Sequence, residues 1–206
     1  MKMATTEKTQ PLDLVGYEVL VGVCGGIAAY KVCHVVSELV QRGAGVTVAM
    51  TAAATQFVGA VTFQALCARR VLTDMWAPGD IAQIQHIERT AQADLLLVAP
   101  ATANMIGKIA GGIADEFVST LVIGAASPVV LAPAMNDRMW ANPVVKRNVA
   151  LLGELGYTFV GPEEGWLACR TIGPGRMVEP RQIVDTIVPM LTTSPPKAQR
   201  NEETSS

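Results

Sequence analysis

Five short apolar runs, set apart by longer amphipathic stretches, constrain this chain more than any other feature of its sequence. They are YEVLVGV (17–23), GVTVAM (45–50), DLLLVAP (94–100), PVVLAP (128–133) and YTFVGP (157–162). Each is rich in Val and Leu and carries charge only at its edges, as strands buried on both faces do. The segments between them have helical periodicity. In 28–43, Val32, Val35, Val36 and Leu39 fall on one stripe and Gly43 stops the run. Further helices are expected over 53–68, 84–92, 102–111, 115–125, 140–154 and 180–192. Strands alternating with helices across short loops predict a parallel sheet covered on both faces, an α/β three-layer sandwich of Rossmann-like type. Ligands in such folds bind outside the carboxyl ends of the strands.

The 206 residues suit one domain, expected over 15–192, with polar, flexible tails at 1–14 and 193–206. Charged residues make up 17% of the chain, against roughly 25% in an average soluble domain. A buried sheet accounts for this, as does surface hidden in an oligomer. The net charge of −2, with no Lys/Arg cluster, argues against a nucleic-acid partner. Residues 43–68 and 117–136 carry no charge, but Gly, Pro, Thr and Gln punctuate them. A spanning helix needs about 20 predominantly apolar residues, so no membrane span is expected. The N-terminus has no apolar signal core. Cys24, Cys33, Cys67 and Cys169 show neither CxxC spacing nor a dense framework, which suits a reducing cytoplasm. No metal site is expected.

The first strand runs into V-C-G-G-I-A-A-Y (23–30). Glycines at a strand-to-helix turn let backbone N–H groups approach a phosphate, and a tight turn without ligand uses the same pair. The spaced G-x-G-x-x-G fingerprint is absent, and the second strand ends in Met50-Thr51 rather than an acidic residue. A hydroxyl at Thr51 suits a phosphate or ribityl chain better than an adenosine ribose. After the third strand, Thr102 can cap a helix, and Thr102 and Asn104 can also hold a ring system. The fourth strand leads into A-P-A-M-N-D-R-M-W (132–140). Met and Trp stripes are more often packing than cofactor contacts, but an Asn between two Met residues is nothing a core requires.

Pro133-Ala134-Met135-Asn136-Asp137-Arg138-Met139-Trp140 resembles the P-x-M-N-x-x-M-W motif of the flavin-containing cysteine decarboxylases. Gly25-Gly26-Ile27 resembles that family's phosphate-side turn, and Gln85-His86-Ile87 its active-site histidine segment. Pro100-Ala101-Thr102-Ala103-Asn104 resembles its flavin segment. Ala168-Cys169 with Gly173-Pro174-Gly175-Arg176-Met177 resembles its substrate-covering flap. The likeness spans residues 16–192 in family order. It implies a flavodoxin-like fold, bound FMN, and a homotrimer or homododecamer with FMN near a subunit interface. Gly25, Gly26, Ile27, Thr51, Thr102, Ala103, Asn104 and Met105 become the expected cofactor contacts. Asn136, Met135, Met139, Trp140 and Arg176 become the expected substrate contacts.

The chemistry gives these residues roles. A simple α-amido carboxylate has nowhere to put the electrons left behind when CO2 departs. Oxidation of the carbon bearing sulfur creates a thioaldehyde beside the carboxylated carbon, and decarboxylation then yields an enethiolate. His86 is the expected base for the thiol, since pKa values of about 6.5 and 8.5 permit proton transfer near neutrality. His34 lies mid-helix and reads as structural. Asn136 is expected to hold the carboxylate. An Arg there would favour the ground state, whose charge leaves with CO2. Met139 and Trp140 are expected to shield it, and Arg138 to lie at the surface.

Cys169 separates branches of the family. In the phosphopantothenoylcysteine branch, the corresponding cysteine protonates the enethiolate so that a saturated thiol results. The peptidyl-cysteine branch stops at the enethiol. Cys24, Cys33 and Cys67 are expected to be buried. Arg170 departs from the Gly usual in the family, which bears on the local turn of the flap. The substrate implied is 4′-phospho-N-pantothenoylcysteine, a small molecule, with phosphopantothenoylcysteine synthetase expected on a separate chain. A peptidyl-cysteine substrate, a non-catalytic flavin-binding role and flavin prenyl transfer stay open as alternatives.

Overall fold

The computed structural model describes residues 12–75 and 90–204. Its sheet contains β1 (Glu18–Val23), β2 (Gly45–Met50), β3 (Leu95–Ala101), β4 (Val129–Pro133) and β5 (Thr158–Phe159) in the order β2-β1-β3-β4-β5, all parallel. This is the flavodoxin-like order, in which the chain reverses direction across the sheet between β1 and β3. The expected fold class is the one observed.

Two apolar clusters, one on each face, follow from the alternation of side chains along the strands. On one face Val19, Val21 and Val23 meet helix α1 (Ala29–Gln41) through Val32, Val35, Val36 and Leu39. The same cluster takes in Ile183, Val184 and Ile187 of the last long helix, Pro180–Thr192. On the other face Leu20, Leu96 and Val98 pack with Met105, Ile106, Phe117, Val118 and Leu121. These come from α3 (Ala103–Ala110) and α4 (Phe117–Ile123), which follow α2 (Ala60–Cys67) in the chain.

Three expected elements differ in detail. The helix expected over 53–68 divides into a 3-10 turn at Ala54–Gln56 and α2, which starts after an extended Gly59. The helix expected over 140–154 divides into α5 (Asp137–Ala141) and α6 (Pro143–Glu154). Pro143 pushes Asn142 into an extended conformation (ψ 128°), and the Asn142 side chain then caps the new helix. The strand expected over 157–162 pairs only at 158–159, because Gly161-Pro162 ends it. Of the expected helix 84–92, residues 84–89 lie outside the described residues.

Beyond β5 the chain forms a hairpin of β6 (Glu163–Trp166) and β7 (Ile172–Arg176), then α7 (Pro180–Thr192). Residues 193–206 read as a flexible tail, yet Lys197–Thr204 forms a helix, α8. Its start is tied down by the buried Asp94 carboxylate, which accepts from Lys197 N at 2.7 Å and Glu18 N at 2.9 Å. The Tyr17 hydroxyl donates to the Ser194 carbonyl at 2.8 Å. At the other end, Leu14 is fully buried and so belongs to the folded body.

Candidate active site

The loops at the carboxyl ends of β1, β2, β3 and β4 surround one large cavity of about 900 Å³, closed on its remaining side by the β6–β7 hairpin. That is near the upper end of the volumes of ligand pockets and sits where open α/β sheets bind their ligands.

The first wall is the turn between β1 and α1. Gly25 is demanded by close approach, since a Cβ there would lie 2.4 Å from the Cβ of Ala53. Gly26 has no such neighbour and faces the cavity. No side chain caps α1, and its first turn is closed by Ala29 N and Lys31 N donating to the Gly26 and Ala28 carbonyls at 2.9 and 3.0 Å. Thr51, at the end of β2, accepts from Ala54 N at 3.1 Å, which leaves its own proton to donate. Thr102 caps α3 by accepting from Met105 N at 3.2 Å. Ala103, Asn104 and Met105 follow it along the cavity wall.

Asn136 is the N-cap of α5, and its Oδ1 accepts from Met139 N at 2.8 Å. This bond fixes which way the amide points and leaves both N–H groups for a ligand. Met135 and Met139 line the cavity beside it. Trp140 does not: its ring lies under the Lys146 ammonium, 4.0 Å from the ring centroid. Trp140 is thus absent from the cavity wall, where Met135, Met139 and Trp166 stand.

The hairpin brings Cys169 to the same cavity. Its thiol is exposed and sits 3.1 Å from Thr171 Oγ1. Arg170, in the next position, has φ 66°, the left-handed region that favours Gly. β7 is anchored to the asparagine segment, because Met135 N donates to the Gly175 carbonyl at 2.9 Å. Gly175 has φ 129°, and a Cβ would fall 2.4 Å from the Met135 carbonyl oxygen, so only Gly allows this contact. This bond ties β7, and with it the hairpin that carries Cys169, to the segment that carries Asn136.

Two cations meet at the mouth. Lys31 Nζ lies 2.9 Å from Glu179 Oε1, and Arg176 pairs with the same carboxylate. The Lys31 hydrogen bond, then the charges of Lys31 and Arg176, hold Glu179 below the usual carboxylate range. Lys31 was absent from the expected site; its position in the first turn of α1 is the signal that could have found it. Cys24 also lines the cavity, but burial pushes its thiol up to about 12, so it is no nucleophile at neutral pH. Cys67 is buried as expected and Cys33 half-buried.

His86 lies outside the described residues, as do Gln85 and Ile87. Among the described residues no cluster of His, Cys, Asp or Glu could hold a metal ion, and no helix is long and apolar enough to cross a membrane.

The family model described as Flavoprotein matches residues 7–192. The chain is 51% identical over 166 residues to the "Coenzyme A biosynthesis bifunctional protein CoaBC" of Bacillus subtilis (strain 168), covering 81% of this chain and 41% of that protein. It thus spans less than half the length of the curated relatives it matches. Among solved structures it resembles a mutant PPC decarboxylase complexed with pantothenoylaminoethenethiol, with TM-score 0.73 and 32% identity over 83% of this chain and 96% of that one. It also resembles the FMN-dependent cysteine decarboxylase SpaF, with TM-score 0.73 and 35% identity over 87% and 98%.

Proposed function

Because the chain belongs to the flavoprotein family, we propose that it catalyses FMN-dependent decarboxylation of 4′-phospho-N-pantothenoylcysteine to 4′-phosphopantetheine, a step of coenzyme A biosynthesis. One observation carries this reading: an oriented amide at Asn136 and a solvent-accessible thiol at Cys169 line one cavity at the carboxyl ends of the strands. Relatives named CoaBC and neighbours named PPC decarboxylase support it.

The cavity suits FMN. The backbone of the Gly25-Gly26-Ile27 turn, on the cavity wall ahead of α1, is placed to donate to a phosphate, and Thr51 adds a hydroxyl. Thr102, Ala103, Asn104 and Met105 supply a wall for the ring system. A volume near 900 Å³ leaves room for a second small molecule. When bound, FMN supplies the two-electron acceptor that lets the carbon bearing sulfur be oxidised and later restored.

The protein's own residues do the rest. His86 takes the proton of the substrate thiol. The two N–H groups of Asn136 orient the carboxylate without adding a charge, so little ground-state stabilisation is lost when CO2 leaves. Met135 and Met139 supply an apolar wall beside that group. Cys169 delivers a proton to the enethiolate carbon from the flap. Arg176 and Lys31 place positive charge at the mouth, where the substrate phosphate arrives. The net reaction is redox-neutral: a C–C bond to the carboxylate breaks, a C–H bond forms and one proton is taken up.

The assembly we propose is a homotrimer or homododecamer in the cytoplasm. Its support is the apolar rim of the cavity, where Ile27, Tyr30, Met139 and Trp166 are each largely exposed. Light scattering tests the subunit number: a monomeric mass would reject the assembly.

Anaerobic incubation with phosphopantothenoylcysteine and mass measurement of the product tests the function. Loss of CO2 alone supports the proposal. Loss of CO2 plus two hydrogens would instead support the peptidyl-cysteine type of chemistry. An unchanged mass would reject the substrate.

A further inference from the structure

The β6–β7 hairpin is closed by a tight turn with fixed stems. Leu167 N donates to the Thr171 carbonyl at 2.8 Å, and Arg170 N donates to the Leu167 carbonyl at 2.9 Å. Leu167 is buried and so holds the turn against the body of the protein. Arg170, in the left-handed region at φ 66°, folds the chain back between Cys169 and Thr171. Their side chains converge, with Cys169 Sγ 3.1 Å from Thr171 Oγ1.

Of this pair Cys169 stands on the cavity wall and Thr171 does not, so Thr171 acts on a ligand only through the thiol. Its hydroxyl sits on a β-branched side chain with restricted χ1, so the group stays where the turn puts it. Either atom of the contact can be the donor. The chemistry decides between them. A thiol whose proton is destined for carbon must keep its S–H free for the cavity, and the thiolate left behind needs a donor. Thr171 O–H donating to Sγ meets both requirements; S–H donating to Oγ1 meets neither.

We infer that Thr171 is a positioning residue for Cys169, its hydroxyl donating to the sulfur before and after proton transfer. The inference rests on the role of Cys169 proposed above. In that step the S–H bond breaks and a C–H bond forms at the enethiolate carbon. The electron pair of the S–H bond stays on sulfur, where the Thr171 hydroxyl holds the thiolate until solvent returns a proton. A hydrogen bond to an ionised acceptor is stronger than one to a neutral acceptor, so the contact favours the transfer.

Thr171→Val and Thr171→Ser test this in the full-length chain. Val keeps the branched shape and loses the hydroxyl; Ser keeps the hydroxyl and loses the methyl group. With phosphopantothenoylcysteine as substrate, the ratio of saturated thiol to enethiol, read by mass, should fall about tenfold in Thr171→Val and return to near the parent value in Thr171→Ser. A role in packing alone would reverse that order and overturn the inference. Alkylation of Cys169 by iodoacetamide at neutral pH reads the contact without substrate. It should slow about threefold in Thr171→Val, because the smaller thiolate fraction outweighs the greater nucleophilicity, and recover in Thr171→Ser. A Thr171→Val variant with the parent product ratio overturns the inference and leaves the role of Cys169 intact. A parent chain that makes only enethiol overturns both.

Discussion

Replacing Asn136 by Asp separates the two interactions of its amide. Asp caps a helix as well as Asn does, so the bond from Met139 N survives and the melting temperature should not move. The N–H donors are lost and a like charge meets the substrate carboxylate, so kcat/KM should fall about 100-fold or more, from ~3 kcal/mol of lost charged hydrogen bonding and added repulsion. Steady-state decarboxylation assays check this, and a drop below tenfold would remove Asn136 from the site. Cys169→Ser should keep CO2 release while the product changes from saturated thiol to enethiol, read by mass. Arg170→Gly should relieve about 1 kcal/mol of left-handed strain and slow hydrogen exchange of the Leu167 amide, bonded to the Thr171 carbonyl at 2.8 Å, about fivefold. Unchanged exchange would mean that the turn tolerates Arg without cost. That Asn136 and Cys169 would meet on one cavity was legible in the sequence, because each stands in a string with no packing purpose. Lys31 was not, because a helix-surface Lys looks ordinary until the fold places it on the cavity wall.

The elements that carry the site were read from period. The stripe of Val32, Val35, Val36 and Leu39 specified both α1 and the face it buries. Leu39→Ala, at a fully buried position, should cost about 3 kcal/mol and lower the melting temperature by about 10 °C. The divided helices resisted the same reasoning, because periodicity runs on through Asn142-Pro143 while the backbone cannot. The hairpin was legible only as a Gly-rich flap, since its register depends on Gly175 meeting the Met135 carbonyl. Its base is latched to α1 through Glu179, shared by Lys31 and Arg176. The folded pKa of Glu179 lies below its unfolded value of about 4.3, so the latch contributes stability above that value and loses it as pH falls through the folded pKa. The gap in melting temperature between the parent and Glu179→Gln should therefore be present at neutral pH and close in acid. A gap independent of pH would show that ionisation of Glu179 is not what holds the latch.

At the scale of the whole molecule, the sheet order brings four loops from distant parts of the sequence to one end, and the hairpin closes them over a single cavity. Strand–helix alternation made the layers legible, but the helix at Lys197–Thr204 was hidden because its polar sequence buries little and relies on Asp94, far away in the chain. The apolar rim and the low charge content are the support for the oligomer we propose. The claim on which site, assembly and chemistry all depend is that this cavity holds a flavin. Titrating the purified full-length chain with FMN, followed by absorbance and quenching of flavin fluorescence, tests it most directly. The account predicts saturable uptake of one FMN per chain; a colourless protein that leaves flavin fluorescence unchanged would contradict it.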